Sequence, residues 1–408
     1  MAFKLNIKTL ISLIATIFVF FPYTMIISTN FYTQPYAIIF SFLAFLLNIN
    51  WIIKYFPKNQ FYLLLSLLLL GITIFIISCF PYNIMQDYKS LLSYISPLFF
   101  ASLSYYLFLT KPHILKKIIL VTALIWIITS LIQIFIPSFA SFLVGEWSTA
   151  GEINSFSGRG SMGLAPEPTH NGFHLIFLAV ATYLVGLGKK ISVLCLLVAV
   201  LVAKSASALL VIILGSFFYL LYKRKKYLMF ILICGYLVYE IFIKLFLDFF
   251  VDNNLRYIYL IKSLLENPFD ILQLDYSVNQ RIGGVIIGFN ELINSFFLPN
   301  GISNSTWLIE SEVIVRKYSW SKGISSSGVP SGFLNLFYQS GFFSIIIISF
   351  IIKQIFTIEN SKFGTYLLIC FSFIFLGQYM LSNPGFGFTI GLIYGKLIIN
   401  KPNLITHS

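Results

Sequence analysis

The chain has 408 residues, 58% of them hydrophobic and only 10% charged, with a formal net charge of +13. Water-soluble domains carry about 25% charged residues. This chain has too little charge to coat a water-exposed surface of its size, and a lipid bilayer is the solvent that fits it.

In chain order, apolar runs bounded by charged or turn residues fall at 9–29, 36–56, 61–80, 88–109, 114–136, 171–187, 190–203, 206–222, 227–247, 333–352, 363–381 and 385–400. A helix needs roughly 20 mostly apolar residues to cross the hydrocarbon, and 190–203 and 206–222 are short for that. Lys204-Ser205-Ala206-Ser207 between them reads as a tight turn. The alternative is one long helix over 190–222 and eleven crossings. With the N-terminus in the cytoplasm and twelve crossings, 17 of the 27 Lys and Arg fall inside, together with one of the 14 acids, Glu359. Every short inner loop is then basic, as the positive-inside rule expects. Eleven crossings would move Lys353 and Lys362 outside. The excess charge is thus a topology signal, and it excludes nucleic acid as the partner. The sequence predicts an all-α polytopic membrane protein of about 12 transmembrane helices with both termini cytoplasmic. The first apolar run is too long, and too poor in small residues at its end, for a cleavable signal peptide.

This topology divides the chain into 1–136 (five spans), 137–170 (a first large outer loop), 171–247 (spans six to nine), 248–332 (a second large outer loop) and 333–408 (three spans and a tail). The loops have 34 and 85 residues, whereas loops beyond about 12–15 residues are usually functional or disordered. The second contains Trp307, Trp320 and much Ile, Leu and Phe. It is expected to fold as short helices on the outer surface, with Val285–Asn294 packing on the bundle or dipping into the interface. No internal repeat is visible, which weakens an inverted-repeat transporter. Cys79, Cys195, Cys234 and Cys370 all lie in apolar runs and read as small packing residues. Glu240 and Lys244, at i, i+4 within a span, read as a paired couple near the outer face.

Polar chemistry concentrates in the loops. Residues 158–174, GRGSMGLAPEPTHNGFH, hold an arginine, a glutamate, two histidines and two prolines. Gly158, Gly160 and Gly163 leave the backbone around Arg159 free to approach a ligand closely. Pro166 and Pro168 hold Glu167 in an extended segment before a helix starting near Asn171. There the carboxylate is either a general base for a hydroxyl or an acid complementing the helix dipole. Glu167, His170 and His174 also admit a metal site, but Gly172 lies between the histidines and the H-E-x-x-H order is absent, so none is assigned. His170 is placed at the loop–helix junction near substrate, and His174 one turn deeper as a satisfied core histidine. In the second loop Arg256, Arg281 and Arg316 offer guanidinium forks suited to phosphate oxygens. Arg281, beside Gly283-Gly284, is the favoured ligand group, while Arg316 has Glu312 as an alternative partner.

These residues resemble a known family. About twelve spans, an outer-loop sequence running from Arg159 through Gly163-Leu164 to Glu167-Pro168-Thr169, and a second large loop are similar to the bacterial O-antigen and capsule repeat-unit polymerases of the Wzy type. Asn279-Gln280-Arg281, Leu298-Pro299-Asn300-Gly301, the segment Val329 to Asn335 leading to Gly341, and the Lys204–Ser207 turn also fit that layout. The related O-antigen ligases typically carry a histidine in the second loop. This chain has no histidine between 175 and 406, which favours polymerase over ligase. The resemblance implies a GT-C-like bundle in the bacterial cytoplasmic membrane that transfers a growing glycan from undecaprenyl pyrophosphate to a lipid-linked repeat unit. It implies no cofactor, and a membrane protein that regulates chain length as a partner. In this reading Glu167, Arg159 and Arg281 are catalytic, and Arg159, Arg281, Arg256, Arg316, His170 and Asn171 bind substrate. A ligase or other lipid-linked glycan transferase is the alternative, and a flippase a more distant one.

Overall fold

The computed structural model describes residues 6–26, 33–78, 84–144, 160–223, 276–302, 331–346, 348–349, 353, 361–374 and 381–400. Among these, all regular structure is helical. Among the described residues, four helices are long and apolar enough to cross a membrane, over Tyr36–Tyr55, Lys58–Ile76, Ser90–Thr110 and Pro112–Ile132. The chain is therefore an all-α membrane protein.

The helices are α1 (Ile7–Phe20), α2 (Tyr36–Tyr55), α3 (Lys58–Ser78), α4 (Ile84–Thr110), α5 (Pro112–Ile132), α6 (Pro168–Leu184), α7 (Lys189–Leu197), α8 (Ala206–Lys223), α9 (Tyr276–Asn294), α10 (Gly332–Ser340), α11 (Lys362–Ile374) and α12 (Pro384–Asn400). The expected span at 227–247, with Glu240 and Lys244, lies outside the described residues, as do Cys79 and Cys234. Cys195 and Cys370 are free and buried. Two expected spans differ in detail. The run 190–203 is α-helical only to Leu197 and continues as a π-helical turn over Val198–Val202. The chain then breaks at Lys204, whose φ is 46°, so 190–222 is not one helix. The run 333–352 is interrupted at Gly341. That glycine adopts φ 59°, and the Phe342 N–H turns away to donate to the Phe297 carbonyl at 2.9 Å. Glycine in the left-handed region is the common way to end a helix.

The helices form layers. In α4, 78% of the span is buried, against 28% for α2 and 22% for α3. The outer pair thus faces lipid, while α4 belongs to the interior. Every residue from Asn171 to Thr182 of α6 and from Pro384 to Gly395 of α12 is buried. Helix α6 touches α5, α7, α8, α11 and α12 and is the axis of the bundle.

The closest contact is between α4 and α12. Lipid tails are as apolar as Leu, so helices in a bilayer associate through close packing of small residues rather than through the hydrophobic effect. Gly387, Gly391 and Gly395, spaced by four, make one flat stripe on α12. The stripe lies on Pro97, Phe100, Ala101, Ser104 and Phe108 of α4. A Cβ at Gly391 would overlap both Ser104 Oγ and the Ala101 carbonyl oxygen. In turn α12 supports α6 and α11: Phe386 stacks on Phe371, and Gly385 sits beside the Phe177 ring.

Cross-helix pairs fix the direction of each helix. Phe42 and Trp51 of α2 meet Phe99 and Tyr106 of α4, so these two run parallel. Phe177 and Tyr183 of α6 meet Phe371 and Phe363 of α11, so those two run antiparallel. The same argument brings the ends of α1 and α5 together with the starts of α2, α4, α6, α8 and α12. The lysines then segregate. Lys8, Lys54, Lys58, Lys111, Lys116, Lys117, Lys189, Lys190, Lys223, Lys362 and Lys396 belong to one end of the bundle. The opposite end carries Glu167 and His170, with Lys89 and Lys204.

Replacing Gly391 with Ala is expected to cost about 1–3 kcal/mol, the usual penalty for overpacking. Gly385→Ala, whose Cβ would stand 3.2 Å from its nearest neighbours, is expected to cost less. Thermal unfolding in detergent checks this. Equal midpoints for the two variants would show that the glycine stripe is not a tight contact.

Candidate functional site

The residues around Glu167 are held by two buried amide side chains. Gln133, just past α5 and 5% exposed, makes four hydrogen bonds. Its Nε2 donates to the Phe139 and Gly163 carbonyls, both at 2.8 Å. Its Oε1 accepts from Ser161 Oγ at 2.9 Å and from the Gly163 N–H at 2.7 Å. Asn171, fully buried in the first turn of α6, donates from Nδ2 to Ser130 Oγ and to the Ser161 carbonyl, both at 3.0 Å. Two side chains thus hold the 161–163 backbone from opposite sides. Gly163 sits at φ 58° with the Asn171 amide against its Cα, where a Cβ would have no room.

The same segment is seated on the α7–α8 turn. The Ser161 N–H donates to the Val202 carbonyl at 3.0 Å. Gly160 packs against the Ala203 carbonyl and the Lys204 nitrogen, and Gly172 packs against Ser205 and Ala208. Ser205 Oγ accepts from the Ala208 N–H at 3.1 Å and so caps α8. Lys204 is exposed beside it.

Glu167 emerges from this frame. Its backbone is extended, at φ −143° and ψ 152°, and it is the residue immediately before α6. Pro168 is the first helical residue, a position where its missing N–H costs nothing. The helix therefore starts three residues earlier than the sequence suggests. The Glu167 side chain makes no capping bond to its own helix and is partly exposed. His170, also partly exposed, lies against Tyr23, with ring centroids 5.7 Å apart.

His174 is in the core, but it is not a satisfied core histidine. Trp126 lies 4.1 Å from it centroid to centroid, and Phe20 meets it edge-on at 6.5 Å. Among the described residues, neither ring nitrogen has a hydrogen-bond partner. The nearby Phe20 carbonyl accepts instead from Trp126 Nε1 at 3.0 Å. Among the described residues, no three His, Cys, Asp or Glu side chains stand close enough to hold a metal ion.

The expected site residues fall as follows. Glu167 and His170 stand together at the polar end. Asn171 is adjacent, and its amide is engaged in holding the loop. Arg281 belongs to α9, its side chain lying outside the description. Arg159, Arg256 and Arg316 lie outside the described residues. Gln133 and Ser130 were missed because each is an isolated polar residue at the end of an apolar run, with nothing in its spacing to mark it.

The chain matches no family model, no curated protein and no solved structure. The functional reading therefore rests on the residues themselves.

Net protein hydrogen bonds contribute about 0.5–1.5 kcal/mol each, so losing all four in Gln133→Ala is expected to destabilise the loop by about 2–6 kcal/mol. Amide hydrogen exchange over 160–166 should rise strongly. Unchanged exchange in Gln133→Ala would show that the segment is held by other contacts.

Proposed function

We propose that the chain is a polymerase of lipid-linked glycan repeat units in the bacterial cytoplasmic membrane, of the Wzy type that its sequence resembles, with twelve spans and both termini inside. The observation that carries this reading is Glu167. It is a partly exposed carboxylate not used as a helix cap, on an extended residue between two prolines. It stands at the end of the bundle opposite the one where most of the lysines gather.

In this reading Glu167 takes the proton from an acceptor sugar hydroxyl. The hydroxyl oxygen bonds to the anomeric carbon of the donor glycan, and the bond from that carbon to the pyrophosphate oxygen breaks. The electron pair leaves with undecaprenyl pyrophosphate, whose charge Arg159 and Arg281 balance, aided by Arg256 and Arg316. Fixed cations facing a charge that grows in the transition state are an efficient form of catalysis. Direct displacement inverts the anomeric centre. His170, backed by the buried Tyr23 ring, offers its own ring to a sugar at the loop–helix junction, and Asn171 acts through the loop it holds.

The lysine end is the cytoplasmic one by the positive-inside rule, which puts Glu167 outside. Alkaline phosphatase fused after Phe139 is then expected to be active, and fused after Lys111 or Leu187 inactive. The reverse pattern would invert the topology.

Positioned general bases contribute about 10²–10⁴-fold to rate. Glu167→Gln is therefore expected to lower polymer formation at least about 100-fold and to leave single repeats on the cell surface. Arg281→Ala should act in the same direction. Surface-glycan ladders from a deletion strain carrying each variant check this. Normal long ladders with both variant proteins present in the membrane would overturn the site. Full-length lipid-linked polymer accumulating in the deletion strain would favour a ligase.

A further inference from the structure

Helix α9 has three sectors. At the 100° step of an α-helix, Gly284, Gly288 and Leu292 share one sector and are buried; α9 packs against α10. Asn290, Glu291 and Asn294 form a polar sector, in which Asn294 Nδ2 donates to Glu291 Oε1 at 3.1 Å. Between them Val285, Phe289 and Ile293 form an apolar sector that is exposed. The exposed apolar surface continues past the helix end through Phe296, Phe297 and Leu298, with Phe296 86% exposed.

The local backbone holds these rings outward. Phe296 and Phe297 adopt φ of 51° and 58°, conformations that are outliers for bulky residues. They persist because both sides of the turn are tied down. The Phe297 carbonyl accepts from the Phe342 N–H at 2.9 Å, and the Asn300 N–H donates to the Tyr338 carbonyl at 3.1 Å. Gly341 packs directly on Phe297 to Pro299.

A second set of contacts ties the turn to the bundle. The Gly301 N–H donates to the Gln339 carbonyl at 3.3 Å, and Gln339 Oε1 accepts from the Tyr94 hydroxyl at 3.0 Å. Tyr94 is four residues into the Ser90–Thr110 span, about 6 Å along it at 1.5 Å per residue. The aromatic turn is therefore tied, through α10, to the end of the bundle where α4 begins. It is the same end of the bundle as Glu167.

We propose that α9 is an interfacial helix whose aromatic heel, Phe289, Ile293, Phe296 and Phe297, is embedded in the lipid leaflet at the Glu167 end. The occupant of the exposed face is the boundary between headgroups and acyl chains of the bilayer itself. A helix with an apolar face, a polar face and modest overall hydrophobicity lies in that plane. The embedding holds the second large segment against the membrane. On the polymerase reading it also keeps Arg281, on α9 and 15 residues before Phe296, near headgroup height, where a lipid-linked pyrophosphate would stand. The embedding itself does not depend on that reading, and its test does not measure activity.

The full chain is reconstituted in phosphatidylcholine vesicles with and without bromines on the upper acyl-chain carbons. Phe296→Trp, Phe289→Trp and, on the polar sector, Asn294→Trp are each compared with the unsubstituted protein to isolate the added emission. The added emission at 296 and 289 is expected to be lost to brominated lipid and spared by aqueous acrylamide, and that at 294 to show the reverse. Quenching of the 296 and 289 positions by acrylamide as strong as at 294 would place the heel in water. Emission that neither quencher reaches would place it against protein. Either result overturns the proposal, and the two heel variants guard against one failing to fold.

Discussion

Helices in a bilayer gain nothing from hiding apolar side chains from one another, so a bundle there must be held by contacts that lipid cannot imitate. In this chain the closest of these is the approach of α12 to α4 along Gly387, Gly391 and Gly395. It brings two backbones together over two turns of helix, about 12 Å at 1.5 Å per residue. Helix α6 is then enclosed by α5, α7, α8, α11 and α12. An enclosed helix cannot slide or tilt independently, and its first residue becomes a fixed point at the surface of the bundle. Glu167 precedes that residue.

Position also requires a fixed loop, and here the polar side chains divide into two groups. Gln133 and Asn171 are buried and fully engaged with backbone and hydroxyl partners. Leaving such groups unpaired away from water would cost more than their bonds contribute, so each effectively specifies one conformation of the 161–163 segment. Glu167 and His170 stand at the edge of that frame and are partly exposed. The buried amides set geometry, while the exposed carboxylate and imidazole remain where a polar ligand can reach them. His174 fits neither group. It fills space between Trp126 and Phe20, ring against ring.

Much of this was legible in the sequence, for identifiable reasons. Composition alone excludes a water-coated surface. The break at Lys204 and the extended residue at Glu167 are local events, dictated by a polar tetrapeptide and by two prolines. The loop frame was not legible, because Gln133 and Asn171 act across 30 and 10 residues of sequence and neither sits in a pattern. The end of α10 at Gly341 was hidden by hydropathy, since the apolar run continues beyond it. Its cause is a contact with Phe297 to Pro299, more than 40 residues earlier in the chain. The stripe of glycines on α12 was present in the sequence, but a reading by hydropathy counts glycine as neutral and passes over its spacing.

The same logic joins the segments around Glu167 and after α9. The first is anchored to the helix axis through Gln133 and Asn171. The second reaches the bundle through a short polar link, from the turn after α9 to Gln339 and then to Tyr94. Tyr94 sits on α4, the helix against which the glycine stripe packs, and a Cβ at Gly71 of α3 would overlap its side chain. Both segments are thus referred to one close-packed core, although they are far apart in sequence. A site that needs groups from two loops requires a common reference of this kind. Here α4 provides it, reaching the second segment through Gln339 of α10 and reaching α6 through α12.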